Sequence, residues 1–175
     1  EFLDFSTMAF RVDSKKGVGY FVPGKGETIP PVFKDIQHAY EFDWDSDTLI
    51  VQNKKKRYGL MSVYGDTILP IEYSSIDYFD YDLRYNYISY PVLQLYKGKK
   101  EGLFHAPTCS ILVPAEYDDI YTGEPYYDED TGEEVYFKGF TTISKKKVGF
   151  YDYHGNELLP PIFETLKAVS YTHLR

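Results

Sequence analysis

Three stretches of this chain carry the residue types that recognition chemistry needs: 38–48, 77–90 and 121–139. Together they hold 13 of the 27 acidic residues, among them Asp43, Asp45, Asp77, Asp128 and Asp130, interleaved with Trp44, Tyr78, Tyr81, Tyr85, Tyr126 and Tyr127. Rigid rings supply contact area and carboxylates select a basic partner, so the mixture suits a protein interface. The same rings could stack on sugars, or could do no more than pad long loops against a core. Asp43-x-Asp45-x-Asp47 begins as a calcium loop begins, but Thr48 stands where that loop needs glycine and Lys54 where it needs glutamate. Asp128-x-Asp130 also lacks a correctly placed Gly and Glu, so no metal site is expected.

Catalytic sets do not assemble. His38, His105, His154 and His173 are isolated, with no metal-ligand spacing and no accompanying nucleophile motif. Cys109, the only cysteine, excludes an intrachain disulfide, fixes no compartment, and is expected to pack in an apolar turn instead of acting as a nucleophile. The carboxylate pairs Glu116/Asp118 and Glu72/Asp77 have acid and base chemistry, but they recur with a repeat and read as surface positions. The expectation is a protein that is not an enzyme, with no catalytic residues and no cofactor.

Basic residues cluster separately. Twelve of the 19 Lys and Arg fall in four short turns: Lys15–Lys16, Lys54–Arg57, Lys97–Lys100 and Lys145–Lys147. Aligned, they would form a basic edge able to meet phosphates or an acidic partner. They equally serve to keep a repeat soluble and its strand edges unpaired. The net charge of −8 argues against a general nucleic-acid binder, and no run of about 18 apolar residues exists to span a membrane.

What must position these stretches is a four-fold repeat. A glycine (Gly19, Gly59, Gly102, Gly149) is followed by a turn and then a proline (Pro30, Pro70, Pro114, Pro160). Three residues on stands an aromatic (Phe33, Tyr73, Tyr117, Phe163), and six on an aliphatic (Ile36, Ile76, Ile120, Leu166). Glycine to proline is 11, 11, 12 and 11 residues, whereas successive glycines are 40, 43 and 47 apart. All the variation therefore sits in one loop per copy, as when a rigid unit repeats and insertions collect on one face.

Within a copy, alternating and β-branched runs predict strands such as Thr48–Gln52, Tyr58–Val63 and Ile68–Tyr73. Gly65 and Gly155 fall at turns that need φ > 0. The third copy has Pro107-Thr108-Cys109 there, which predicts a different turn. Pro30-Pro31 is expected to lead into the third strand, and 121–139 to contain an inserted hairpin around Asp130–Glu133. Antiparallel copies that all start at one end need an even strand number, so a short fourth strand is expected near Ile36, Ile76, Ile120 and Leu166. The fold class that follows is all-β: about four antiparallel β-meander repeats of period about 40–47, stacked solenoid-like or propeller-like. One copy has too few apolar side chains to offset its ordering, so copies must stack. The boundaries are a single β-repeat domain over 1–168, with repeats at 9–47, 48–90, 91–139 and 140–168.

The short Lys-rich turn, the aromatic-Gly-aliphatic step, the Gly turn and the Pro-x-x-aromatic-x-x-Ile tail together resemble the WG-repeat family, named for a Trp-Gly pair, over residues 9–166, although only Tyr58 keeps the aromatic. Its Trp is replaced by Val18, Tyr58, Glu101 and Val148. The resemblance implies a β-rich, mostly bacterial repeat protein with no catalytic residues. Residues 168–175, AVSYTHLR, abandon the pattern and resemble translated sequencing-adapter read-through. A non-native tail over 169–175, on a fragment of a longer array, is the expectation. The function expected is a scaffold binding a basic protein partner, in one version an immunity-type complex, through Asp43, Trp44, Asp45, Tyr78, Tyr81, Tyr85, Tyr126, Tyr127, Asp128 and Asp130. The alternative is a carbohydrate-binding or glycan-associated module at the cell envelope.

Overall fold

The computed structural model describes residues 9–38, 48–79, 92–122, 126–128, 132–135 and 138–166, with the backbone alone for Glu27, Tyr126–Asp128 and Glu133–Val135. Every regular element among them is a β-strand. The first sheet is β1 (Phe10–Ser14), β2 (Gly17–Val22) and β3 (Gly26–Phe33). The second is β4 (Asp35–His38), β5 (Thr48–Gln52), β6 (Tyr58–Ser62) and β7 (Thr67–Tyr73). The third is β8 (Ser75–Tyr78), β9 (Val92–Lys97), β10 (Lys100–His105) and β11 (Ser110–Tyr117). The fourth starts with β12 (Asp119–Thr122), is interrupted by a separate hairpin of β13 (Tyr126–Asp128) and β14 (Glu133–Val135), and continues as β15 (Gly139–Ser144), β16 (Lys147–Asp152) and β17 (Glu157–Phe163). The protein is thus all-β, a series of antiparallel meanders, and none of the sheets described closes into a barrel.

The short strand predicted near Ile36, Ile76 and Ile120 is present as β4, β8 and β12, while Leu166 lies outside any strand. It opens the next sheet instead of closing its own. Ile36 pairs with Val51 and Ile120 with Thr142, both in the copy that follows. One backbone bond fixes each of these two seams at the residue before that strand: Lys34 N–H to the Gln52 carbonyl at 2.8 Å, and Asp118 N–H to the Ile143 carbonyl at 2.7 Å. The first and second copies, and the third and fourth, are therefore each joined by a shared sheet as well as by packing.

The glycine–proline interval has a single cause in all four copies. Val18 faces Phe33 and Tyr20 faces Ile29, so Gly19 alone stands against Pro30, Pro31 and Val32. Gly59, Gly102 and Gly149 stand likewise against the residues that start at Pro70, Pro114 and Pro160. The third or fourth strand bulges onto the glycine. A Cβ on Gly59 would lie 2.8 Å from both the Ile71 Cα and the Leu69 carbonyl oxygen. The prolines sit inside their strands at this bulge, on the edge strand of each sheet, and do not mark the strand start. A bulge on an edge leaves unused the N–H that proline lacks.

Gly65 (φ 94°) and Gly155 (φ 87°) occupy the left-handed region as predicted, each donating its N–H three residues back, to Ser62 and Asp152 carbonyls at 3.0 and 3.1 Å. The third copy has a different turn, as expected: four residues closed by a His105–Ser110 pair, where the second and fourth copies pair Met61 with Thr67 and Tyr151 with Glu157 around five. Cys109 nevertheless shares the positive φ (49°), with its N–H on the Ala106 carbonyl at 3.1 Å. It is also exposed, which corrects the reading of Cys109 as a packing residue.

Contacts divide the chain into two units, Glu1–Ile76 and Asp77–Arg175. In the first, Ile29 and Phe33 of the first sheet share a core with Ile36, Leu49, Val51 and Met61 of the second. In the second, Leu103, Val113 and Tyr117 of the third sheet share one with Ile120, Phe140 and Tyr151 of the fourth. Phe79 meets Phe140 edge to face with centroids 6.0 Å apart, a favoured aromatic geometry.

Candidate functional site

In a four-stranded meander the connections alternate between the two ends of the sheet. The three long insertions all join a first strand to a second: 39–47 between β4 and β5, 80–91 between β8 and β9, and 123–138 between β12 and β15. The turns between third and fourth strands, around Tyr64, Cys109 and His154, lie at that same end. The lysine hairpins join second to third strands and lie at the other end. Sheet by sheet, topology puts the acidic insertions and the basic turns at opposite ends.

Each insertion springs from a fixed base. His38 pairs with Leu49, the Phe79 N–H donates to the Val92 carbonyl at 2.9 Å, and Thr122 pairs with Phe140. Tyr78 ends β8 at the mouth of its insertion and is exposed. Tyr126, Tyr127 and Asp128 form β13, facing Val135, Glu134 and Glu133 of β14. Gly132 turns this hairpin with φ 72°, so the predicted insertion hairpin is present. Asp43, Trp44, Asp45, Tyr81, Tyr85 and Asp130 lie outside the described residues.

The insertion end holds further side chains that sequence spacing does not single out. The Tyr20 hydroxyl and His38 Nε2 are 3.0 Å apart, with the rings edge to face. Burial raises the Tyr20 pKa against the opposing charge of Arg11, so the phenol stays protonated. Lys25 Nζ stands 3.9 Å over the Tyr64 ring, a cation–π contact between two turns. His105 Nδ1 meets the Thr108 hydroxyl at 2.7 Å, and that hydroxyl meets Ser110 Oγ at 2.7 Å. This chain closes the Cys109 turn. The repeat register was the one signal that could have gathered these residues, since each lies at a turn or strand end equivalent to those of other copies.

Between sheets the Tyr117 and Tyr151 hydroxyls bond at 2.8 Å, and burial raises both pKa values. Among the described residues no group of three or more His, Cys, Asp or Glu could hold a metal ion. Comparisons with protein-family models, with curated proteins and with solved structures find no match.

The lysine end is tied down by acids. Asp118 takes Lys100 Nζ at 2.5 Å and the Lys145 N–H at 2.7 Å, and these bonds, led by Lys100, hold its carboxyl below the usual range. Lys147 pairs with Glu164 in the equivalent way. Asp118 thus works as a clasp between consecutive lysine turns. Among the described residues, the insertion end of the third sheet carries the exposed Tyr78 and that of the fourth the β13–β14 hairpin.

Proposed function

We propose that the protein is a β-repeat scaffold of the WG-repeat kind, not an enzyme, that binds a protein partner with a basic surface through its insertion end. The observation that carries the reading is positional: three insertions of different length and sequence spring from the same connection in successive sheets. A constant frame presenting variable acidic and aromatic segments at one sheet end is how repeat proteins present a binding surface. The Tyr126–Asp128 hairpin strand and exposed Tyr78 supply anchors of the type that dominate interfaces. Asp43, Asp45, Asp128 and Asp130 supply charge selection, which acts chiefly on association rate and specificity.

The test is affinity capture with the full chain, comparing it with a variant carrying lysine at Asp43, Asp45, Asp128 and Asp130. The partner captured by the parent is expected to bind at least tenfold more weakly to the variant, and to dissociate as salt rises. Equal capture by both chains would place binding elsewhere.

A further inference from the structure

The lysine turns of the two units are not treated alike. In the second unit an acid follows the aromatic of each copy: Asp118 takes Lys100 Nζ and the Lys145 N–H, and Glu164 pairs with Lys147. In the first unit the same register, four residues after the bulge proline, holds Lys34 and Ser74. Lys34 matches Asp118 in its backbone too, since each donates its N–H to a carbonyl of the next sheet, Gln52 and Ile143 respectively. The clasp position of the first copy therefore carries a cation.

Three basic segments meet at this end of the first unit. Gly17, which closes the Lys15–Lys16 turn, packs so tightly on the Phe33 carbonyl that no Cβ would fit. Lys34 comes next, and its N–H reaches the Gln52 carbonyl at 2.8 Å, just before the Lys54–Arg57 turn. Seven cations thus gather across the ends of two packed sheets, all exposed and none in an ion pair among the described residues. Asp13 and Asp35, which flank the first turn and Lys34, are held by Arg11 at 3.4 and 3.2 Å. Charges kept only for solubility would not be answered by acids in one unit and left open in the other.

The chemistry of the patch narrows what it can meet. The N–H groups of Lys55, Lys56 and Arg57 are all spent on Asn53 within their own turn, so that turn offers side-chain charge and no backbone cradle for a single anion. Six of the seven cations are lysines, which lack the planar fork that grips a carboxylate and are depleted in protein interfaces. The rings at this end, Tyr58 and Tyr73, are half-buried and buried, so neither forms the stacking platform that single-stranded nucleic acid uses. A plane of phosphate head groups asks only for clustered positive charge, and about four to eight Lys and Arg suffice.

We infer that the lysine end of the first unit docks on an anionic lipid surface. The net charge of −8 does not oppose this, because the acidic insertion 39–47 leaves its sheet from the opposite end. A strand of five or six residues spans about 17–20 Å, roughly two Debye lengths at physiological salt, so the two ends act independently.

Flotation of the full chain with phosphatidylcholine vesicles, with and without about one-third phosphatidylserine, tests it. Binding is expected only to the anionic vesicles, and it falls as salt rises. Lys15→Gln, Lys16→Gln, Lys54→Gln and Lys55→Gln in one chain, all at exposed positions, are expected to weaken binding by about a hundredfold or more. Lys34→Asp, which supplies the acid of the second unit, should weaken it about tenfold by itself. Lys99→Gln with Lys147→Gln, a charge change confined to the second unit, should leave binding at the parent level. A parent chain that ignores anionic vesicles at low salt would overturn the inference, as would equal losses from changes in either unit. Tighter binding to a random DNA duplex or to poly-glutamate than to the vesicles would overturn it as well, by assigning the patch to nucleic acid or to an acidic protein.

Discussion

Thr142 breaks the rule that its own position obeys elsewhere. The residues paired with the other bulge glycines are Val12, Val51 and Leu95, all aliphatic. Thr142 is fully buried, and its Oγ1 has no hydrogen-bond partner among the described residues. A desolvated hydroxyl left unpaired costs about 1–3 kcal/mol, and valine has nearly the same shape. Thr142→Val is therefore expected to stabilise the protein by about 1–2 kcal/mol, read as a higher urea midpoint at unchanged slope. Tyr117 and Tyr151 show the other solution, in which two buried hydroxyls satisfy each other across the sheets.

At the scale of the element, the bulge is the device that makes the unit repeatable. It adds residues to the edge strand alone, bends that strand across the glycine, and aims the proline-face aromatic into the core. Only a residue without Cβ tolerates this. With the Ile71 Cα and the Leu69 oxygen both 2.8 Å from a built Cβ, Gly59→Ala has no flexible side chain to push aside and must shift backbone. The expected cost is about 2–3 kcal/mol, measured by chemical denaturation against the parent. A cost below about 0.5 kcal/mol would mean that the bulge relaxes freely.

For the whole molecule, the stable object is the stack and not the sheet. Ile29 and Phe33 belong to the first sheet, yet they are buried with Leu49 and Val51 of the second. A peptide of residues 35–73 contains one complete meander but retains only one side of that core. It is expected to show the circular dichroism of an unfolded chain and no cooperative urea transition. A cooperative transition would make the single sheet the folding unit.

Much of the fold was legible because it is written in spacing. The fixed glycine-to-proline interval and variable loops gave the number of repeats, their all-β character, the inserted hairpin and the positive-φ turns at Gly65 and Gly155. Those features depend on local sterics, which neighbouring residues determine by themselves. Spacing did not say that the short strand at Ile36 or Ile120 pairs forward with the next copy, since either partner satisfies its backbone. Nor did it say that Pro70 lies within a strand, that Cys109 turns the chain as glycine does, or that Tyr20 meets His38 and Tyr117 meets Tyr151. Those outcomes depend on register between segments far apart in sequence, where one-residue choices change every contact. The sequence by itself determined the repeated unit and where its variation is allowed. Only the tertiary structure decided which strands of neighbouring copies pair and which faces they bury, because burial is a property of neighbours and not of residues.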